Sequence, residues 1–175
     1  WSPDGKWIAV SFKTGGQDIL LIPSQGGAPK NLTGEISEGC SIPQFTPDSE
    51  EIAFTRMATN ENKMLTPVFE AMEISSGDIR QLAEGFAGTL SSDGKQACYQ
   101  SNSSPSSPME LVVSNMEEGS TKALISNSPR IITDFGHSCF DLMGEHVVTT
   151  LIQYGVPDLS SHKLFKIPVT GGDSI

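Results

Sequence analysis

The chain has 175 residues, of which 21 are acidic and 11 basic, giving a net charge of −10 and an isoelectric point near 4.6. The few Lys and Arg residues form no cluster, which excludes the electrostatic footprint that nucleic-acid backbone binding needs. No apolar run reaches the 18 residues that suggest a membrane-spanning helix, and the three cysteines form no Cys-x-x-Cys pair, so neither a zinc ribbon nor a dithiol redox site is supported.

The chain opens on Trp1-Ser2-Pro3-Asp4-Gly5-Lys6, and degraded copies return as Phe45-Thr46-Pro47-Asp48-Ser49-Glu50, Leu90-Ser91-Ser92-Asp93-Gly94-Lys95 and Phe140-Asp141-Leu142-Met143-Gly144-Glu145. Their first residues are 44, 45 and 50 positions apart, a period characteristic of four-stranded propeller blades. Each copy describes a tight hairpin. Ser or Thr starts a type I turn, Pro presets φ, Asp tolerates the bridge region and Gly supplies a positive φ. Trp1 and Phe45, just before their turns, are expected to pack between blades. A short apolar run follows each turn, so turn and run together predict an inner strand a, a hairpin and strand b.

In the first unit (about 1–44) strand b runs from Lys6 to Phe12 and strand c from Asp18 to Pro23. A Gly26-Gly27 turn leads to strand d at Lys30–Thr33, and the next strand a covers Cys40–Phe45. The second unit (45–89) is expected to have a longer b–c loop, Met57–Thr66, before strand c at Val68–Ile74 and strand d at Asp78–Leu82. Leu65, Val68, Phe69 and Met72 fall at helical spacing. The repeat frame and the short distance from Pro67 to the Ser75-Ser76-Gly77 turn nevertheless favour a strand. The third unit (90–139) has a Ser- and Pro-rich b–c loop at Ser101–Pro108, strand c at Met109–Ser114 and strand d at Thr121–Ile125. Its d–a connection is Ser126–Asp134. The fourth (140–175) has strand b at Glu145–Leu151, a loop at Gln153–Ser161 and strand c at Lys163–Val169. The predicted class is all-β: about four blades of four-stranded antiparallel sheet in a single propeller portion over 1–175. The first strand a and last strand d are missing from the count, so the expectation is a portion of a six- to eight-bladed ring, completed by the remaining blades of a longer chain or by self-association through open sheet edges.

The first unit, with Trp1 to Val10, Asp18-Ile19-Leu20-Leu21-Ile22, Gly26-Gly27 and Lys30-Asn31-Leu32-Thr33, strongly resembles the PD40 repeat, the WD40-like repeat of TolB-type propellers. The second keeps Pro47-Asp48 and Ile52-Ala53-Phe54, the third Asp93-Gly94-Lys95, and the fourth only the aromatic, the glycine and the strand pattern. The resemblance implies a propeller fold and leaves function open. Such propellers serve as the periplasmic TolB, which binds peptide and lipoprotein partners, as non-catalytic domains of envelope proteins, and as the N-terminal gate of prolyl-oligopeptidase-like serine peptidases. It therefore implies a non-catalytic protein- or peptide-binding scaffold outside the cytoplasm, with a peptidase-gating propeller as the alternative.

For catalysis, the nearest string to the G-x-S-x-G nucleophile elbow is Gly136-His137-Ser138-Cys139-Phe140, which lacks the last glycine and lies in a predicted inner strand. For metal, Asp134 with His137 is the one pairing worth inspection; the favoured reading is a hydrogen-bonded surface pair with no metal expected, the alternative being a propeller lyase with a channel metal. No cofactor is expected. Binding is expected where d–a and b–c loops share one face, with Glu35, Glu38, Glu84 and Asp134 making an acidic rim, beside His137, for a cation or a basic peptide.

Overall fold

In the computed structural model the described residues are 1–12, 17–101, 109–125, 133–135, 138–153 and 163–171. Among them every regular element is a strand, and none is a helix able to cross a membrane. The chain divides into two compact units, Trp1–Gly88 and Thr89–Ile175.

The first unit holds two antiparallel sheets. One is β1 (Trp7–Phe12), β2 (Asp18–Pro23) and β3 (Lys30–Asn31), in that order; the other is β4 (Cys40–Phe45), β5 (Glu51–Thr59), β6 (Leu65–Glu73) and β7 (Ile79–Glu84). Strand β8 (Phe86–Leu90) spans the division. It pairs with β9 (Gln96–Ser101), followed by β10 (Glu110–Asn115) and β11 (Thr121–Ile125). In the last sheet β14 (His146–Gln153) pairs β15 (Lys163–Pro168) on one side. On its other side it pairs β12 (Thr133–Phe135) and β13 (Cys139–Phe140). This is the predicted a-b-c-d order, with the inner strand of the fourth unit in two pieces.

Alternation within strands puts apolar side chains between sheets. Ile19 and Leu21 of β2 meet Cys40, Phe45, Ile52, Phe54 and Met72 in one core. In the second unit Cys98, Leu111, Val113, Val147 and Ile167 form another. Each fully buried aliphatic or aromatic side chain contributes about 1.5–3 kcal/mol. The helical spacing of Leu65, Val68, Phe69 and Met72 loses to the nine-residue pairing of β5 with β6.

The turns follow the hexapeptide logic in detail. The Gly5 N–H donates to the Ser2 carbonyl at 2.9 Å, the Ser2 hydroxyl donates to Asp4 Oδ1 at 2.7 Å and accepts the Trp7 N–H at 2.9 Å, and Asp4 Oδ1 accepts the Lys6 N–H at 3.0 Å. Thr46 with Asp48, and Ser91 with Asp93, repeat the arrangement. Ser49 takes the glycine's place at φ 65, and its hydroxyl accepts the Asp4 N–H at 3.1 Å, tying the first two turns together. The fourth turn has no Ser/Thr–Asp pair. Asp141 alone accepts the N–H groups of Glu145 and His146, at 3.0 and 3.2 Å, doing with one carboxylate what the other copies do with two side chains.

Three expectations change. Phe45 is buried in the first core, whereas Trp1 is 73% exposed. The loop expected over Met57–Thr66 is largely strand: β5 and β6 pair out to Thr59 and Leu65, leaving a five-residue connection. It is pinned by Asn60, whose Oδ1 accepts the N–H groups of Asn62 and Met64. Glu84, expected in a loop, is the last residue of β7 and pairs with Val68.

Candidate functional site: the loop face

The d–a and b–c connections of the first unit meet at one end of its sheets. The Cys40 N–H donates to the Gln17 carbonyl at 2.6 Å, and the Met57 N–H donates to the Gly39 carbonyl at 3.1 Å. Below them Thr33 is buried, and its hydroxyl accepts the Ile19 N–H at 2.9 Å. Asn31 accepts the Thr33 N–H and donates to Asp18 at 3.0 Å. The segment from Leu32 to Gly39 is therefore stapled at both ends to neighbouring strands.

The charged residues of this end differ sharply in freedom. Glu35 and Glu84 are exposed. Glu38 is half-buried; its Oε2 accepts the Ser37 hydroxyl at 2.9 Å and lies 3.8 Å from the Arg56 guanidinium. Arg56 itself donates from Nε and Nη2 to the two carboxylate oxygens of Glu70, both at 2.7 Å, a bidentate pair. Glu70 is buried among apolar neighbours, and its hydrogen bonds raise the Arg56 pKa further. Beside them burial pushes the Cys40 thiol up to about 11, which makes it an inert core group at neutral pH.

Glu35, Glu38 and Glu84 all lie on the first unit, with Glu38 already partnered. Asp134 lies in β12, where its backbone pairs with Ile152. His137 lies outside the described residues, as do Ser104, Asp158, His162 and most of the b–c and d–a connections of the second unit, so the Asp134–His137 pairing is not among the described contacts. Among the described residues no three His, Cys, Asp or Glu groups converge as metal ligands. The Arg56–Glu70 pair was missed by reading loops alone. Its signal was present in the sequence as a charge inside each of two apolar strands, Ile52-Ala53-Phe54-Thr55-Arg56 and Val68-Phe69-Glu70-Ala71-Met72, because a buried carboxylate on one strand needs an opposite charge within reach on its neighbour.

No family model matches the chain. In sequence it is 28% identical, over an alignment of 169 residues, to a probable dipeptidyl-peptidase 5 of Aspergillus niger; the match takes in 77% of this chain and 20% of that protein. In structure it is similar to a putative TolB from Agrobacterium tumefaciens, with a TM-score of 0.70 and 19% identity, over 99% of this chain and 61% of that one. It is also similar to the β-propeller domain of the trilobed protease from Pyrococcus furiosus, with a TM-score of 0.57 and 11% identity, over 76% of this chain and 40% of that one. The chain spans less than two thirds of each of these proteins. At such identities the structural likeness speaks for fold, and the fold is that of the β-propellers found in TolB and in peptidases.

Proposed function

We propose that the chain is the non-catalytic propeller part of a longer, peptide-handling protein, a peptidase in which these blades receive and gate the peptide while another part of the protein hydrolyses it. The observation that carries this reading is the 28% identity to a probable dipeptidyl-peptidase, confined to 20% of that protein's length. Chemistry within the chain agrees with a receiving role. Gly136-His137-Ser138-Cys139-Phe140 lacks a glycine of the nucleophile elbow, whereas the loop face offers exposed Glu35 and Glu84, which suit a peptide carrying Lys or Arg.

The test uses the full-length protein that carries these residues, assayed for release of p-nitroaniline from dipeptidyl p-nitroanilides. Hydrolysis abolished by diisopropyl fluorophosphate, with the inhibitor attached outside residues 1–175, is the expected result. Absence of hydrolysis, together with a full-length sequence that holds only further propeller repeats, would overturn it. A second reading, a TolB-like scaffold that binds protein or peptide partners outside the cytoplasm, is favoured by the likeness to TolB over 99% of the chain. On either reading a Lys-rich peptide is retained by the loop face, and Glu35→Gln with Glu84→Gln weakens that retention. Glu38→Gln weakens it less, because Arg56 already balances Glu38.

A further inference from the structure

A recess of about 260 Å³ opens at the end of the third sheet that carries its hairpin turns. Antiparallel pairing assembles its wall. Gln96 opens β9 directly across from Asn115 at the end of β10, while Thr121 and Lys122 open β11 across from Ser114 and Val113. Gln96, Asn115, Ser120, Thr121 and Lys122 line it together with Val113 and Val169; strand alternation puts Gln96, Val113, Asn115 and Lys122 on one face of the sheet and Thr121 on the other with Ser114.

The hydrogen-bond inventory of this wall is lopsided. Asn115 Oδ1 already accepts the N–H groups of Glu117 and Glu118, at 2.9 and 3.0 Å, so its Nδ2 remains as a donor. Lys122 donates one of its three N–H groups to the Thr170 carbonyl, which holds the ammonium at the rim with two donors left. The Ser120 hydroxyl donates to Glu118 at 3.4 Å, and Gln96 Nε2 donates to the Gly144 carbonyl at 3.4 Å. What remains on the shared face is the Lys122 ammonium, the Asn115 Nδ2 donor and the second N–H and Oε1 of Gln96, with no carboxylate among the lining residues. Such a set calls for a single negative charge with hydrogen-bond acceptors, placed beside apolar surface. The volume equals that of roughly nine waters, room for one residue-sized group.

We propose that this recess binds a carboxylate attached to a branched aliphatic group, the chemistry of a free small acid or of a peptide's C-terminal residue, with the carboxylate on Lys122, Asn115 Nδ2 and Gln96 Nε2 and the aliphatic part on Val113 and Val169. The site uses none of the loop-face residues and does not depend on the proposed function. The experiment is a titration of the isotopically labelled protein with N-acetyl-L-valine, with N-acetyl-L-valinamide as the uncharged control and the peptide Gly-Ala-Val to separate the two sources. Backbone amide resonances of Asn115, Thr121 and Lys122 shift with the acid at concentrations on the order of millimolar, and at least tenfold more weakly with the amide. Lys122→Met removes the preference for the acid, and Gln96→Leu, which leaves the ammonium in place, retains part of it. Tighter binding of Gly-Ala-Val than of N-acetyl-L-valine assigns the site to peptide C-termini, and the reverse assigns it to free acids. Equal shifts with acid and amide, or an acid preference that survives Lys122→Met, would overturn the proposal.

Discussion

The turn carboxylates are the residues on which the repeat depends. Ser2, Thr46 and Ser91 each bridge from a neighbouring Asp to a strand N–H, and removing such a bridge costs about 1 kcal/mol. Asp141 carries both functions and also meets the His146 imidazole at 2.9 Å and Lys166 at 3.3 Å. Asp141→Ala is therefore expected to lower stability about twice as much as Ser91→Ala, as measured by urea denaturation. The same groups set an acid limit. The Ser2 hydroxyl, aided by Lys6, holds Asp4 down at about 2, and hydroxyl bonds to Thr46 and Ser91 lower Asp48 and Asp93. For Asp141 burial pushes upward, but the His146 N–H and ring, Lys166 and the Glu145 N–H together bring it down to about 2. Because each pKa is depressed on folding, the stabilisation is complete above the unfolded value of about 3.9 and is lost as pH falls through the folded values. Stability is expected to drop between about pH 4 and pH 2. In Asp93→Asn and Asp141→Asn variants this part of the drop shrinks, which a denaturant midpoint followed against pH would record.

At the scale of elements, two contacts decide how strands fit. The Arg56–Glu70 pair crosses β5 and β6 diagonally and leaves Glu70 with little water. Arg56→Met would strand a buried carboxylate and cost about 3 kcal/mol, whereas Arg56→Met combined with Glu70→Met recovers most of that loss. A double variant as unstable as the single one would show that the loop face needs the charges for its shape. The second contact is the approach of β8 to β6. A Cβ added to Gly88 would fall 2.5 Å from the ring of Phe69, which is itself fully buried. Gly88→Ala is expected to cost about 1–3 kcal/mol through overpacking, and Phe69→Leu in the same chain to relieve part of it. Nothing in Phe86-Ala87-Gly88-Thr89-Leu90 announces this contact, because the ring belongs to a strand many residues earlier. The bulge of β4 was equally hidden. Ile42 has φ 56, a conformation rare for a β-branched residue, and its N–H reaches the Ser11 hydroxyl at 3.1 Å.

For the whole molecule, the excess of acidic over basic residues governs colloidal behaviour more than fold. Net charge −10 at pH 7 opposes nonspecific aggregation, and light scattering is expected to rise as pH approaches the isoelectric point near 4.6 and to fall again below it. The fold is that of a β-propeller, and the matched proteins put that fold to different uses. On the two proposals above, what this chain does is decided at its surfaces: exposed Glu35 and Glu84 at one end of the first unit, and the recess around Lys122 at the turn end of the third sheet.

The sequence by itself determined the strand order, the turns and the propeller class. These rest on local chemistry repeated at a fixed period: a Ser or Thr with an Asp two residues on, a residue able to adopt positive φ, and an apolar run that must face a neighbouring sheet. It could rank Glu38 as a rim carboxylate but not see Arg56 beside it. It could count Lys122 but not place Asn115 and Gln96 around it. Those pairings join residues distant in sequence, and only the register of the strands and the packing of sheet on sheet bring them within hydrogen-bonding distance.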